Sequence, residues 1–366
     1  MHNSFWRSKR VLVTGNTGFK GSWLTLWLTQ LGALVSGLSL DIPTAPSSWT
    51  SMSLNDDIVT KRADIRDLGA VRSALDEVQP DVLFHLAAQP FVRRSYAQPI
   101  ETFATNVMGT AHVLEAARDI ESLRVIVNVT SDKCYDNIPA RMPLVEDSPM
   151  GGADPYSASK GCAELVAAAY DRSFLTNTDR RPITLVSVRA GNVVGGGDWG
   201  EDRLLPDLMR AARSGVPVPL RNPAAVRPWQ HVLNPLHGYL TLAKQAYDNP
   251  TLHGGWNFGP DRLQMANVGE LAEAVQAQWG EGTLFLLPDG DGADGTEALH
   301  EAAILAIDSS KALRTLGWMP HWDLKMTVAE SVAWYRLDQD GEDMREISLR
   351  QIESYTASVA KETSEL

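Results

Sequence analysis

The chain has 366 residues, of which 44% are hydrophobic and 21% are charged. A chain of this size can bury a full core as one large or two fused α/β domains. Its net charge of −12 argues against nucleic acid or an anionic membrane as the main partner. Only two cysteines and no apolar run of membrane-spanning length occur, so we expect a soluble cytoplasmic protein without a disulfide framework.

A glycine-rich turn near the start of the chain joins a predicted strand, Lys9–Thr14, to a predicted helix, Ser22–Leu31. Between them glycine recurs at every third position, at Gly15, Gly18 and Gly21. In a dinucleotide-binding turn such glycines allow the sharp exit from the strand, the close approach of backbone to a pyrophosphate, and the packing of helix on sheet. The helix N-terminus also attracts phosphate. A structural turn without a ligand is the alternative, and the strand–turn–helix context favours a cofactor.

An acidic residue follows the next predicted strand. The strand covers Ala33–Leu40 and ends at Asp41, twenty residues after Gly21. A carboxylate at this distance accepts the ribose hydroxyls of NAD and repels the additional phosphate of NADP. The sequence therefore predicts NAD as the cofactor.

Strands and helices alternate along the first half of the chain. The further predicted elements are strands Ile58–Lys61, Val82–Leu86, Arg124–Val129 and Leu185–Val188, and helices Leu68–Val78, Pro99–Arg118 and Tyr156–Tyr170. Near-continuous apolar strands are typical of parallel sheets that are covered on both faces. The alternation predicts an α/β fold with a Rossmann-type doubly wound parallel sheet. His85, inside a strand, is expected to be a packed core residue rather than a catalyst.

The predicted domain organisation has two lobes. Residues 1-190, with returning segments at about 231-258, form an NAD-binding Rossmann domain, and residues 191-230 and 259-366 form a smaller C-terminal α/β substrate lobe. Later predicted elements are helices His231–Tyr247, Asn267–Gln278 and Arg345–Val359, and strands Gly255–Phe258 and Leu284–Leu287. Trp318 is expected to be a core residue, and the run Gly195–Gly197 is expected to be flexible enough to fold over a ligand.

Polar side chains follow the strand Arg124–Val129, in the order Thr130, Ser131, Asp132 and Lys133. Carboxyl ends of strands are where open α/β sheets bind ligands, so a hydroxyl, a carboxylate and an amine at this place indicate a site. A polar loop start is an equally good interpretation of these residues alone. In a regular strand Asp132 would face away from its two neighbours, so a shared site requires the strand to break at about Thr130.

A tyrosine and a lysine stand four residues apart at the start of a predicted helix. The spacing puts Tyr156 and Lys160 on one face, one turn apart. An ammonium beside a phenol favours the phenolate, so we expect the pKa of Tyr156 to be lowered toward the working pH.

Together these motifs resemble the extended short-chain dehydrogenase/reductase family, and the resemblance covers nearly the whole chain. Within that family Ser131-Asp132-Lys133 stands where nucleotide-sugar 4,6-dehydratases carry a hydroxyl residue, an acid and a base. The dTDP-glucose enzymes have Glu at the third place. Lys133, the segment Pro90–Ser95 and the motif Arg189–Trp199 resemble the branch that acts on CDP-glucose, and the nucleotide base depends on this resemblance alone.

The resemblance implies a lyase reaction with an internal redox cycle. Tyr156 would take the proton of the sugar 4-hydroxyl while a hydride moves from C4 to NAD, with Lys160 holding the phenolate and the nicotinamide ribose. Ser131 would hydrogen-bond the 4-oxygen. Lys133 would then remove the C5 proton, and a protonated Asp132 would protonate the departing 6-hydroxyl before the hydride returns to C6.

The remaining predicted site residues contact the cofactor or the substrate. The predicted cofactor contacts, besides Tyr156 and Lys160, are Gly15, Thr17, Gly18, Phe19, Lys20, Gly21, Asp41, Asp64, Ile65, Ala87, Ala88, Gln89 and Asn106. Guanidinium forks match a diphosphate, although a surface salt bridge is the alternative for each arginine. The predicted substrate contacts are Arg189, Asn192, Arg203, Arg221 and Arg227. No metal is assigned.

Three alternatives stay open. A 4-epimerase uses the same fold, tyrosine, lysine and NAD, but needs no acid and base at Asp132 and Lys133. A 4,6-dehydratase could act on another nucleotide sugar. A non-catalytic NAD-binding protein would have no reason to carry both motifs. We expect a homodimer, or a tetramer, formed through the helices at Pro99–Arg118 and Pro155–Tyr170.

Overall fold

The computed structural model describes residues 4–137, 143–176, 181–260, 265–287 and 304–365, with side chains described as far as residue 361. The strands are β1 Arg10–Thr14, β2 Leu34–Ser39, β3 Val59–Arg62, β4 Val82–His85, β5 Val125–Val129, β6 Thr184–Arg189, β7 Val193–Val194, β8 Val218–Pro219, β9 Val226–Arg227, β10 Gln230–His231, β11 Gly254–Asn257, β12 Ala266–Asn267 and β13 Phe285–Leu286.

The helices flank these strands. They are α1 Phe19–Gln30, α2 Ser48–Ser51, α3 Leu68–Val78, α4 Val92–Ala97, α5 Pro99–Phe103, α6 Gly109–Ala117, α7 Pro155–Tyr170, α8 Leu204–Ser214, α9 Leu233–Ala246, α10 Val268–Trp279, α11 Ser310–Leu316, α12 Leu324–Gln339 and α13 Met344–Glu365. Among the described residues, no helix is both long and apolar enough to cross a membrane.

Seven parallel strands of the described chain form the central sheet, in the order β11-β6-β5-β4-β1-β2-β3. The chain runs outward from β1 to β2 and β3 and then returns to β4 on the other side of β1. The predicted doubly wound parallel sheet is therefore confirmed. Its topological switch point lies between β1 and β4, and in open α/β sheets the crevice at the carboxyl ends of these strands is the ligand site.

The sheet separates two apolar cores because successive strand residues point to opposite faces. In β1, Val11 and Val13 pack into the core that also contains Trp27 and Tyr355, while Leu12 packs into the core on the other face. Trp318 is buried in the first of these cores, as predicted. The returning strand β11 pairs with β6 at the sheet edge. The division into two lobes remains a prediction.

Several predicted elements have other bounds in the structure, and three of these differences have a physical explanation. The first helix begins at Phe19 rather than Ser22, because the glycine turn is complete at its N-cap, Gly18. The predicted helix Pro99–Arg118 is interrupted by a π-helical turn at Ala104–Met108, which is a common feature of functional regions. His231 lies in β10, and the following helix starts at Leu233, which places Pro235 in the first turn, where proline is tolerated.

The expectation of a flexible Gly195–Gly197 run is wrong. All three residues are buried. A Cβ on Gly196 would lie 2.0 Å from Cγ of Trp334, and Nε1 of Trp23 donates a hydrogen bond to the Gly196 carbonyl oxygen at 2.9 Å. Glycine is needed here because an indole ring occupies the space of a side chain, so this run is a packed turn.

Candidate active site

The polar residues after β5 form a tight turn, which we call the catalytic turn, residues 130–135. β5 ends at Val129, Ser131 is extended, and a 3₁₀ helix covers Asp132–Cys134. The predicted break of the strand near Thr130 is therefore confirmed. The Ser131 hydroxyl donates to Oδ1 of Asp132 at 3.0 Å and accepts from the backbone N–H of Lys133 at 3.2 Å. In a regular strand these two neighbouring side chains would face opposite ways. The turn brings the hydroxyl of Ser131 and the carboxyl of Asp132 together.

Helix α7 faces this turn with its first residues. Asp154 caps the helix through the backbone N–H of Ser157 at 2.9 Å. The side chains of Tyr156 and Lys160 are both buried. Tyr156 is hydrogen-bonded to Ser131, and Nζ of Lys160 donates to the carbonyl oxygen of Val129 at 3.4 Å. The two motifs found in the sequence thus meet in one site.

Burial sets the protonation of the acidic groups in this site. Burial raises the pKa of Asp132 above the usual aspartate value, against the opposing influence of Lys133 and the Ser131 hydrogen bond. Its Oδ2 is enclosed and has no hydrogen-bond partner. Burial thus favours the protonated form of this carboxyl, which is the form that a general acid needs.

The expected lowering of the pKa of Tyr156 is not found. Burial raises the pKa of Tyr156 to about 12, and the hydrogen bond with Ser131 opposes that rise only in part. The Lys160 ammonium is directed at the Val129 carbonyl oxygen instead, and burial lowers the pKa of Lys160 to about 8. The expectation considered one favourable charge and left out the desolvation of the phenolate.

The sequence placed Lys20 among the cofactor contacts, and the structure adds a second environment for it. This half-buried side chain, in the first turn of α1, is electrostatically coupled to Asp132, Lys160, Arg203 and Asp198. Burial, followed by the charge of Arg203, lowers the pKa of Lys20 to about 8. An ammonium from the glycine turn therefore contributes to the same electrostatic cluster as the catalytic turn.

The glycine turn is shaped for a close approach by a ligand. Gly15 has φ +71° and a Cβ there would lie 2.7 Å from the Ala87 nitrogen, while a Cβ on Gly21 would lie 2.1 Å from the Gly15 carbonyl oxygen. A Cβ on Gly18, in contrast, would have only that carbonyl oxygen nearby, at 3.4 Å. The turn is closed toward the protein and open at Gly18, which fits a pyrophosphate at the start of α1.

The predicted adenosine end of the cofactor site lies on the surface. Asp41 is exposed and its Oδ2 lies 3.0 Å from Nη2 of Arg62, a neighbour that sequence reasoning missed. The Thr17 hydroxyl donates to the Asp41 carbonyl oxygen at 2.6 Å. Hydrogen bonds from Arg66 lower the pKa of Asp64, and the next residue, Ile65, is buried.

The segment after β4 is held by an amide network. The Asn106 side chain donates to the Gln89 carbonyl oxygen at 3.1 Å and to the Ser159 hydroxyl at 2.8 Å, and it accepts from the Gln89 N–H at 2.8 Å. Both side-chain amide hydrogens of Asn106 are therefore hydrogen-bonded within the protein. His85 lies between two threonine hydroxyls, and burial lowers its pKa to about 3, which confirms it as a core residue.

The predicted phosphate-binding arginines separate into different environments. Arg203 pairs with Asp198 at 2.8 Å and influences Tyr156. Arg227 is buried, and its charge reaches Asp132. Arg221 is instead a partly exposed partner of Asp202. The half-buried Asn192 contributes its carbonyl oxygen to the Gln230 N–H at 3.2 Å.

The prediction that Arg189 contacts substrate is corrected. Its buried guanidinium makes a bidentate ion pair with Glu164 at 2.8 and 2.9 Å and also donates to the Tyr135 hydroxyl at 2.6 Å. A guanidinium committed to buried partners is not available to a diphosphate. Helical spacing could have indicated Glu164, which lies one turn after Lys160, whereas no local pattern indicates Arg189 as its partner. Among the described residues, no group of three or more His, Cys, Asp or Glu side chains is placed to hold a metal.

The chain is similar to nucleotide-sugar enzymes along most of its length. A family model described as GDP-mannose 4,6 dehydratase matches residues 12–260. The CDP-glucose 4,6-dehydratase of Salmonella typhimurium is 47% identical over 98% of this chain and 99% of the relative. A UDP-glucose 4-epimerase of Thermus thermophilus, solved with NAD, is 25% identical with a TM-score of 0.74, over 89% of this chain and 99% of its own. A dTDP-glucose 4,6-dehydratase of Streptomyces venezuelae, also with NAD, is 24% identical with a TM-score of 0.74, over 92% and 99%.

The doubly wound sheet, the glycine turn and the Tyr156–Lys160 pair define an extended short-chain dehydrogenase/reductase. The chain belongs to the GDP-mannose 4,6 dehydratase family, and the resemblance drawn from the sequence is confirmed.

Proposed function

We propose that this protein is a lyase that dehydrates CDP-D-glucose to CDP-4-keto-6-deoxy-D-glucose with NAD as a retained cofactor. The observation that carries the proposal is the catalytic turn, where Asp132, whose pKa is raised by burial, lies beside Ser131 and Lys133 and opposite Tyr156. An epimerase has no use for an acid and a base beside the tyrosine. The 47% identity to a CDP-glucose 4,6-dehydratase supports the nucleotide sugar.

The residues of the glycine turn and the end of β4 are suited to hold NAD. Gly18, the N-cap of α1, leaves space for a ligand at the helix N-terminus, because a Cβ there would have only the Gly15 carbonyl oxygen nearby. Ala87 and Ala88, which follow β4, are half-buried. Asp41, at the ribose end, supports NAD over NADP. When bound, NAD supplies a hydride acceptor for C4 of the sugar and a hydride donor for C6.

The first half of the reaction is assigned to Tyr156, Lys160 and Ser131. Tyr156 takes the proton of the 4-hydroxyl, for which its raised pKa has to fall on assembly of the complex; Lys160, one turn along α7, is a cation that the chain supplies for this purpose. Ser131, already hydrogen-bonded to Tyr156, orients the 4-oxygen. The result is a ketone at C4, which acidifies the neighbouring C5–H.

The second half is assigned to Lys133 and Asp132. Lys133 accepts the C5 proton, and the electron pair of that C–H bond forms a double bond between C5 and C6 as the 6-hydroxyl leaves. Asp132 donates its proton to that hydroxyl, which departs as water. C5 then takes a proton back from Lys133, and the proton that Tyr156 removed balances the one that Asp132 gave up. Because the hydride taken from C4 would be returned to C6, no external oxidant or reductant is consumed.

Product analysis tests this proposal. The purified protein is incubated with CDP-, dTDP-, UDP- or GDP-glucose and catalytic NAD, and the products are measured by mass spectrometry. We expect a product lighter by one water from CDP-glucose. A product of unchanged mass would point to epimerisation, and equal turnover of dTDP-glucose would overturn the assignment of the base.

We further propose a cytoplasmic homodimer in which α5, the π-helical turn and α7 meet their copies. This face exposes Ile100, Met108 and Leu165, which are 81%, 52% and 60% exposed. A run of large apolar side chains on adjoining helices is typical of a protein interface. Both cysteines, Cys134 and Cys162, are free thiols, which supports a reducing compartment.

A further inference from the structure

A buried network lies directly behind the catalytic turn. The Thr130 hydroxyl donates to Oε1 of Glu164 at 2.5 Å, and Arg189 grips the same carboxylate with Nε at 2.8 Å and Nη2 at 2.9 Å. Each of the three residues is less than 9% exposed. We call this set the Thr130–Glu164–Arg189 network.

The network holds the catalytic turn at both ends. Thr130 immediately precedes Ser131, and Nη1 of Arg189 donates to the hydroxyl of Tyr135, which follows the 3₁₀ helix, at 2.6 Å. Tyr135 in turn donates to Oδ1 of Asn257 at 2.7 Å. The segment that contains the hydroxyl, the acid and the base is therefore fixed at its first and last residues to one ion pair.

The same ion pair belongs to the helix that carries the tyrosine. Glu164 lies one turn after Lys160 and two turns after Tyr156, so the three residues share one face of α7. The helix also approaches the turn closely, because a Cβ on Gly161 would lie 3.0 Å from the Cys134 carbonyl oxygen. The carboxylate of Glu164 is thus a direct connection between the two halves of the site.

We propose that Thr130, Glu164 and Arg189 are positioning residues that set the placement of the catalytic turn against the Tyr156–Lys160 face of α7. The effect on catalysis rests on the proposed dehydratase reaction. Reacting groups displaced by about 1 Å lose about 10²-fold in rate. A fixed connection behind the turn prevents such a displacement.

The test uses a conservative pair of variants and a matched control. Thr130→Val keeps the shape of the side chain but removes the hydroxyl, and Thr130→Ser restores it. The control is Thr184→Val, which removes another buried hydroxyl, bonded to the Ala246 carbonyl oxygen at 3.0 Å, at the opposite end of the sheet strand from Arg189. We measure kcat and KM with CDP-glucose, the Kd of NAD by calorimetry, and hydrogen exchange of residues 131–137.

We expect Thr130→Val to lower kcat by about 10- to 100-fold, with little change in the Kd of NAD, and to speed hydrogen exchange in the turn. Thr130→Ser should remain close to wild type, and Thr184→Val should lose thermal stability only. The inference would be overturned if hydrogen exchange in the turn of Thr130→Val were as slow as in the wild type. It would also be overturned if Thr184→Val lost as much kcat as Thr130→Val. If exchange responds but the wild type releases no water from any nucleotide hexose, the positioning of the turn stands and the dehydratase proposal fails.

Discussion

Asp132 is the residue at which function and stability oppose each other. Its carboxyl is buried with one oxygen lacking a hydrogen-bond partner, an arrangement that costs stability and that an active acid requires. In the proposed reaction this side chain serves the dehydration step and not the binding of the cofactor.

We expect Asp132→Asn to raise the thermal midpoint at neutral pH while lowering dehydration by about 10²–10⁴-fold. The pKa of Asp132 is raised in the folded state above its usual value of 3.8. The unfolded chain therefore releases a proton more readily, and stability is lost as pH rises above about 3.8. Asparagine cannot ionise, so the gain should disappear in acid. Calorimetry at neutral pH and below pH 4 checks this, and a lower midpoint for the variant at neutral pH would contradict it.

A second expectation separates the two halves of the chemistry. Lys133→Met and Asp132→Asn should still reduce bound cofactor, visible as its near-ultraviolet absorbance, and then stall. Tyr156→Phe should give neither reduced cofactor nor product at a useful rate, because the first proton transfer needs the phenol. Wild-type product made in deuterated water should carry deuterium at C5. Normal turnover by Lys133→Met would show that Lys133 is not the base that accepts the C5 proton.

At the scale of single residues, sequence reasoning succeeded where spacing is local. Tyr156 and Lys160 are one helical turn apart, and Ser131 adjoins Asp132, so the chain itself brings these groups together. It failed for Arg189, which is 25 residues from Glu164, because no periodic pattern records a contact made by folding. It also failed for the pKa of Tyr156, since desolvation depends on the whole surrounding structure.

At the scale of elements, helix and strand boundaries followed the apolar pattern closely, and helix α3 occupies the residues predicted for it. The π-helical turn was not visible because its residues fit a regular helix by composition. It places Asn106 against Gln89 and Ser159, and it presents Met108 on the outer side. One irregular turn thus serves both the site and the exposed face.

That exposed face leads to an expectation about assembly. Leu165→Arg and Ile100→Asp should each shift the protein from dimer to monomer, because a buried charge without a partner is costly in an interface. Light scattering after size-exclusion chromatography measures the mass. Leu313→Arg is a matched control, since Leu313 is 51% exposed on α11, away from this face. A wild type that is already monomeric would overturn the homodimer proposal.

At the scale of the whole molecule, the two cores carry three histidines that folding keeps neutral. Burial lowers the pKa of His85, His231 and His237 from 6.5 to about 3 each. Between these values the unfolded chain binds protons that the folded chain does not, so stability falls as pH drops from about 6.5 toward 3. The slope is about 1.4 kcal/mol per pH unit for each proton. The raised pKa of Asp132 and of Asp207 opposes part of this loss.

Urea unfolding between pH 7 and pH 4 measures that slope. The free energy of unfolding should fall on acidification, with an excess of two to three protons bound by the unfolded state. His231→Gln should reduce the excess by about one proton, because glutamine does not titrate. Glutamine can still accept the hydrogen bond that Nδ1 of His231 receives from the Leu233 N–H, so the fold should be kept. A free energy of unfolding that does not change with pH would contradict this prediction.

The packed turn at Gly196 has a consequence for engineering. Trp23 belongs to the helix that starts at the glycine turn, Gly196 to the segment between β7 and α8, and Trp334 to α12. Trp23 donates a hydrogen bond to the Gly196 carbonyl oxygen, and Gly196 packs against the Trp334 ring. A chimera that exchanged only the predicted substrate lobe, which contains Gly196 and Trp334, with that of a relative would separate these two residues from Trp23. Transplanting a new sugar specificity therefore requires these three distant positions to be exchanged as one unit.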